Sequence, residues 1–134
     1  MSIRIAVGEG SCGLAAGAAA VYEALSAKLD GSEAVSLGVT GCVGACFLEP
    51  IVDLYAEDGT LYRCVRVNAE GAETIADAAL TGDLTKLEPL LISGEDDGFL
   101  KRQTRIALRN CGVIDPERIE DYVAAGGYRA LPAA

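Results

Sequence analysis

Cys42 and Cys46 stand with only Val43, Gly44 and Ala45 between them, in a loop that also holds Gly41. Small residues between two cysteines let a loop wrap a metal and aim backbone amides at the thiolate sulfurs, which stabilises their charge. A short cysteine pair by itself equally suits two buried or reactive thiols. Upstream, Gly8-Glu9-Gly10-Ser11-Cys12-Gly13 spells G-x-G-x-x-G between a predicted strand and a predicted helix. A dinucleotide site also needs an acidic residue at the end of the second strand to hold the ribose hydroxyls. Asp30 and Glu33 precede that strand, whose end is Thr40-Gly41. The run therefore reads as a tight turn presenting Cys12 at a helix start, where the dipole and free amides lower a thiol pKa. The chain has no histidine, which removes imidazole metal sites, catalytic triads and imidazole general bases together. Chemistry is left to thiols, carboxylates, backbone amides or a cofactor.

A third feature is the C-terminal stretch. Ile106 and Leu108 sit among Lys101, Arg102, Arg105 and Arg109, and Gly112 is placed to close a helix over 99–112. Asp115-Pro116-Glu117 opens another, continuing through Ile119, Tyr122 and Val123 to Gly126-Gly127. Two solvated helices packed on their own domain would satisfy this pattern. The alternative, which we favour, is an arm that docks on a partner through Phe99, Arg105, Arg109 and Tyr128, since aromatic and arginine side chains anchor interfaces. Charge supports the distinction: residues 1–97 carry five basic and sixteen acidic groups, and 98–134 carry six and four.

The elements that must position these groups fit one ordinary domain with an appendage. The chain has 134 residues, 51% hydrophobic and 23% charged, enough to bury a core unaided. Its formal charge of −9 repels phosphate backbones and anionic lipid, so nucleic acid and membrane surfaces are poor partners. The N-terminus lacks both an apolar stretch of roughly 18 residues and a cleavage site, so no membrane insertion and a cytoplasmic location are expected. Five cysteines there suggest metal, cluster or redox duty, or plain burial, before disulfides. Ile3, Ile5 and Val7 alternate as a strand, and a helix is predicted over 11–29, with Ser11 as cap. Leu14, Val21, Leu25 and Leu29 share one face of it, and the alanines of 15–20 allow close approach to a neighbour. A strand over 34–39 follows, then strands over 51–56 and 61–67 joined by the turn Glu57-Asp58-Gly59-Thr60, and a helix over 69–80. The first unit is expected to be a right-handed parallel crossover.

Taken together, Cys12-Gly13-Leu14-Ala15-Ala16-Gly17-Ala18 after a strand, and Thr40-Gly41-Cys42-Val43-Gly44-Ala45-Cys46 before Glu49-Pro50, resemble the thioredoxin-like two-iron, two-sulfur ferredoxins. The tail pattern Gln103, Arg105, Leu108-Arg109-Asn110-Cys111-Gly112, Asp115-Pro116, Tyr122, Gly126-Gly127-Tyr128, Ala130-Leu131 narrows this. It looks like the segment leading into the flavin domain of the NADH-oxidising subunit of complex I and its relatives in NAD-linked hydrogenases and formate dehydrogenases. The resemblance covers nearly the whole chain. It implies an α/β thioredoxin-like domain over 1–91 (β-α-β, then β-β-α), an acidic linker over 92–98, and a helical tail over 99–134 resembling the start of the flavin domain. It also implies a cis Glu49-Pro50 bond, and Cys12, Cys42 and Cys46 gathered as metal ligands, with no catalytic residue.

Two departures matter. In the cluster-bearing family four residues separate the first cysteine pair, which puts the partner of Cys12 at position 7, here Val7. A 2Fe-2S cluster would then need its fourth donor from Glu9, Cys64 or Cys111, and the last two read as buried thiols. The residues favour absence of the cluster over its presence. The chain also stops just past Leu131, where the family's flavin- and NADH-binding domain begins, so neither flavin nor NAD is expected here. The implied function is the N-terminal module of an NADH-dehydrogenase-type oxidoreductase subunit, serving electron transfer or assembly and not catalytic alone. Its partners would be other subunits of an NAD-linked complex, or a second copy. The rivals are a cluster-free interaction scaffold and a thiol oxidoreductase using Cys12, although the chain has no C-x-x-C pair.

Overall fold

The computed structural model describes residues 3–133. Four strands form one sheet in the order β2-β1-β3-β4. Strand β1 (Ile3–Gly8) runs parallel to β2 (Val35–Thr40), Val7 opposite Val39, and antiparallel to β3 (Val52–Tyr55), Val7 opposite Val52. Strand β4 (Leu61–Cys64) closes the hairpin with β3. The crossover between the parallel strands is helical, and the turn at 57–60 joins the hairpin, as the patterns required. The Glu49-Pro50 bond is cis, as expected from the resemblance.

The predicted helix over 11–29 is two helices, α1 (Ser11–Ala16) and α2 (Ala18–Leu29). Gly17, with φ 105°, ends the first and starts the second, a left-handed conformation that costs an alanine roughly 1–2 kcal/mol. The break turns Leu14 away from the stripe of Val21, Leu25 and Leu29, and Leu14 is 49% exposed. Of the alanines meant for close approach, Ala18 is buried and Ala15, Ala16, Ala19 and Ala20 face solvent. Ser11 is not the cap either, because Gly10 occupies that position and no side chain caps the helix.

Helix α3 (Ala69–Thr81) matches its expectation, its first turn fixed by Asn68 Oδ1, which accepts from the Gly71 N–H at 2.8 Å. It packs with α2 on one face of the sheet. Ile5, Val7, Val21, Leu25, Val52, Leu54, Ile75 and Ala76 make the core there; burying each of the larger ones contributes about 1.5–3 kcal/mol. The fourth strand stops before the expected 67, because the Val65, Arg66 and Val67 N–H groups leave the ladder for the carbonyls of Leu90, Leu48 and Pro50. A 3-10 segment (Leu84–Leu90), unanticipated, seats Leu87 in the core.

The end of the chain departs most from expectation. The acidic run expected as a linker is the first half of α4 (Gly94–Lys101). Ser93 Oγ accepts from the Asp96 N–H at 3.1 Å, and Glu95, Asp96 and Asp97 complement the positive end of the helix dipole. Residues 102–118 form turns rather than the expected helix, and α5 (Ile119–Ala124) is short. Asp115 does not cap it. Its carboxylate accepts from the Glu117 N–H at 2.9 Å, and the helix starts two residues beyond Glu117. No helix among the described residues is long and apolar enough to cross a membrane.

Candidate metal centre

The loop after β2 carries Gly41 to Ala45 and enters a 3-10 turn (Cys46–Leu48) before the cis Pro50. That turn folds Cys46 back toward Cys42, and the two Sγ atoms lie 3.5 Å apart. Two thiolates on one tetrahedral metal, with metal–sulfur bonds of about 2.3 Å, stand about 3.8 Å apart. The pair therefore suits one metal with little movement. The Gly44 N–H points at Cys42 Sγ at 3.2 Å, the amide-to-sulfur contact the small intervening residues were expected to allow. Burial pushes the Cys42 thiol up, the Gly44 amide opposes this, and the neighbouring Cys46 and Glu49 add to the rise.

The turn carrying Cys12 approaches this loop through glycines. A Cβ at Gly10 would lie 3.1 Å from Cys42 Cβ, and one at Gly13 would lie 3.2 Å from Glu49 Oε2. Cys12 itself is exposed on α1. Among the described residues no three His, Cys, Asp or Glu side chains come together as a metal-holding group. The structure thus joins Cys42 to Cys46 and does not gather Cys12 with them.

Val7 is fully buried in the core, between Val39 and Val52 on the helix-covered face of the sheet. A side chain there points away from solvent, so the position is not a vacant ligand slot. Cys64 is likewise fully buried in the core, and burial and Asp53 push its thiol up to about 12. Cys111, expected to be buried, is exposed, and it lines a small cavity with Gly41. The residues present fit one metal's thiolate pair. They do not by themselves complete a four-thiolate cage.

Sequence reasoning missed two parts of the site. Glu49 is 8% exposed, its carboxylate accepting from the Ile51 N–H at 2.8 Å; burial raises its pKa, the Ile51 amide lowers it, Asp53 raises it and Arg63 lowers it. The tail, for its part, clasps the cysteine loop. Arg105 donates to the Val43 carbonyl, Thr40 Oγ1 donates to the Ile114 carbonyl at 2.9 Å, and Gly112 packs on the Val43 side chain. Leu100 packs against the buried cluster formed by Val43, Ala45, Leu48 and Ile51. Of the four proposed docking anchors, Phe99, Arg109 and Tyr128 are exposed, whereas Arg105 is engaged by its own loop.

No protein-family model matches the chain. A stretch of 31 residues, 23% of the chain, is 64% identical to the NADP-reducing hydrogenase subunit HndC of Solidesulfovibrio fructosivorans, and it spans 6% of that protein. Among solved structures, the wild-type thioredoxin-like 2Fe-2S ferredoxin from Aquifex aeolicus is 24% identical with a TM-score of 0.55, covering 69% of this chain and 97% of that one. A cysteine-to-serine variant of that ferredoxin is 23% identical with a TM-score of 0.56, covering 68% and 98%. At these identities the likeness establishes the fold, a thioredoxin-like α/β sheet followed by helices.

Proposed function

We propose that this chain is an electron-transfer module of a multisubunit NAD(P)-linked oxidoreductase, with no flavin or NAD site of its own. The observation that carries the reading is the Cys42–Cys46 pair, 3.5 Å apart with an amide on one sulfur, on a fold shared with a 2Fe-2S ferredoxin. The short, strong match to a hydrogenase subunit supports the kind of complex. In this reading Cys42 and Cys46 would hold an iron, and the remaining donors, which the structure does not bring to the pair, would have to come from Cys12, Glu9 or Cys111 after movement of their segments, or from a partner. A bound cluster would supply a one-electron redox centre. The chain's own part is to fix the thiol pair with a short turn, to direct an amide at it, and to anchor the loop by burying Val43 and Ala45 in a cluster with Leu48 and Ile51. Residues 99–134 then serve as the docking arm of the body over 1–91, with Phe99, Arg109 and Tyr128 as free anchors.

Anaerobic reconstitution with iron and sulfide tests this. The expected result is stable iron with visible thiolate-to-iron absorption, lost in Cys42→Ser and Cys46→Ser. A chain that takes up no iron would fail the reading and leave the cluster-free scaffold, which the burial of Val7 favours.

A further inference from the structure

Two thiol sulfurs in contact have a second chemistry open to them. Cys42 Sγ and Cys46 Sγ, 3.5 Å apart, need approach by only about 1.5 Å to reach the length of a disulfide. The residues between them are Val43, Gly44 and Ala45, in a loop outside the strands and helices that ends where Cys46 opens a short 3-10 turn. Cys46 is exposed and Cys42 half-buried, so a small disulfide reaches Cys46 first and Cys42 stands behind it. Among the described residues this is the sulfur–sulfur contact that the fold makes, and Cys64 is sealed in the core.

We propose that in the iron-free chain Cys42 and Cys46 form a two-electron thiol–disulfide couple that exchanges with disulfides of the glutathione class. The Cys46 thiolate attacks one sulfur of oxidised glutathione, breaking its S–S bond and releasing one glutathione thiolate. The Cys42 thiolate then attacks the Cys46 sulfur of the mixed disulfide, forms the Cys42–Cys46 bond and expels the second glutathione thiolate. Glutathione gains the two electrons that the pair loses, and the two cysteine protons end on the two departing thiolates. Oxidation occupies both sulfurs, so the closed form cannot bind metal through them. This goes beyond the electron-transfer reading and stands without it.

The test uses the full chain, iron-free and reduced, equilibrated in buffers of graded oxidised-to-reduced glutathione ratio, quenched in acid, alkylated under denaturing conditions and digested with trypsin. Cleavage after Lys28 and Arg63 releases one peptide that carries Cys42 and Cys46 and no other cysteine. The expected result is that this peptide loses both alkylation sites together as the ratio rises, without gaining glutathione, and recovers them on reduction. Cys42→Ser should leave one glutathione trapped on Cys46. Both cysteines staying alkylated at every ratio, or each keeping its own glutathione, would overturn the proposal. Circular dichroism checks that the variants fold. Iron uptake is scored separately: a chain that forms the disulfide but binds no iron fails only the electron-transfer reading, and one that binds iron but never closes the disulfide fails only this inference.

Discussion

Gly112→Ala tests the clasp without touching a cysteine. Gly112 has a φ of 76°, so alanine there costs roughly 1–2 kcal/mol in backbone strain. Its methyl would overlap Val43 Cγ1 and lie 3.3 Å from Val43 Cβ, which adds about 1–3 kcal/mol if nothing moves. Against this, the tail is seated by hydrogen bonds from Arg105 to the Val43 carbonyl and from Thr40 to the Ile114 carbonyl, worth about 0.5–1.5 kcal/mol each. Strain of that size is comparable to those two bonds, and although Leu100 in the cluster under the loop and the bond from Arg4 to the Val113 carbonyl at 3.4 Å also hold the segment, the tail should loosen before the body unfolds. A loss of about 2–3 kcal/mol raises the open population on the order of 30- to 150-fold. Brief trypsin exposure reads that population through cleavage at Arg105 and Arg109. Cleavage should accelerate in Gly112→Ala, while the urea midpoint of the body barely moves. Val43→Ala in the same chain removes the overlapped methyl and should recover part of the protection. Unchanged cleavage in Gly112→Ala, or no recovery in the double variant, would refute the reasoning.

Val7→Cys should fold, shift stability by less than about 1.5 kcal/mol and leave the iron content after reconstitution unchanged, because position 7 faces the core; a rise in iron would show that the strand end can turn outward. Glu49 has its pKa raised by burial, so the stability tied to its protonated form is present below the ordinary carboxylate range and is lost as pH rises through the folded value. Glu49→Gln should therefore be more stable than the parent at pH 7, with the gap narrowing toward pH 3 in urea titrations; a gap of opposite sign would contradict this. Arg63 holds Asp53, which is 1% exposed, through two hydrogen bonds of 2.8 and 2.7 Å. Arg63→Ala strands that charge and should cost about 3–5 kcal/mol in denaturant unfolding, whereas Arg63→Met with Asp53→Asn should recover most of it.

The sheet and its connections were legible because short-range signals carry them: Ile3, Ile5 and Val7 alternate, and Asp58-Gly59 marks the hairpin. The break at Gly17 was not, since an alanine-rich run has little periodicity to interrupt. The start of α4 was written as Ser93 followed by three acids, a capping signal that composition alone made look like a linker. For the site, the cysteine pair was visible as a spacing. The clasp was not, because its partners are separated by 62 and 74 residues and no local pattern records such contacts. Position 7 was visible as a missing cysteine, but its burial belongs to the register of β1 between β2 and β3.

That separation along the chain also sets an order in time. Contacts that close long loops bear their entropy before they gain anything, so they form late. The thiol loop leaves the ribosome well ahead of Arg105. At about 5–20 residues per second, a gap of 62 residues is about 3–12 seconds of synthesis. During that interval Cys42 and Cys46 exist with their turn but without the tail seated over Val43. Whatever loads or oxidises the pair meets it then without the tail, and Arg105, made later, closes over the result.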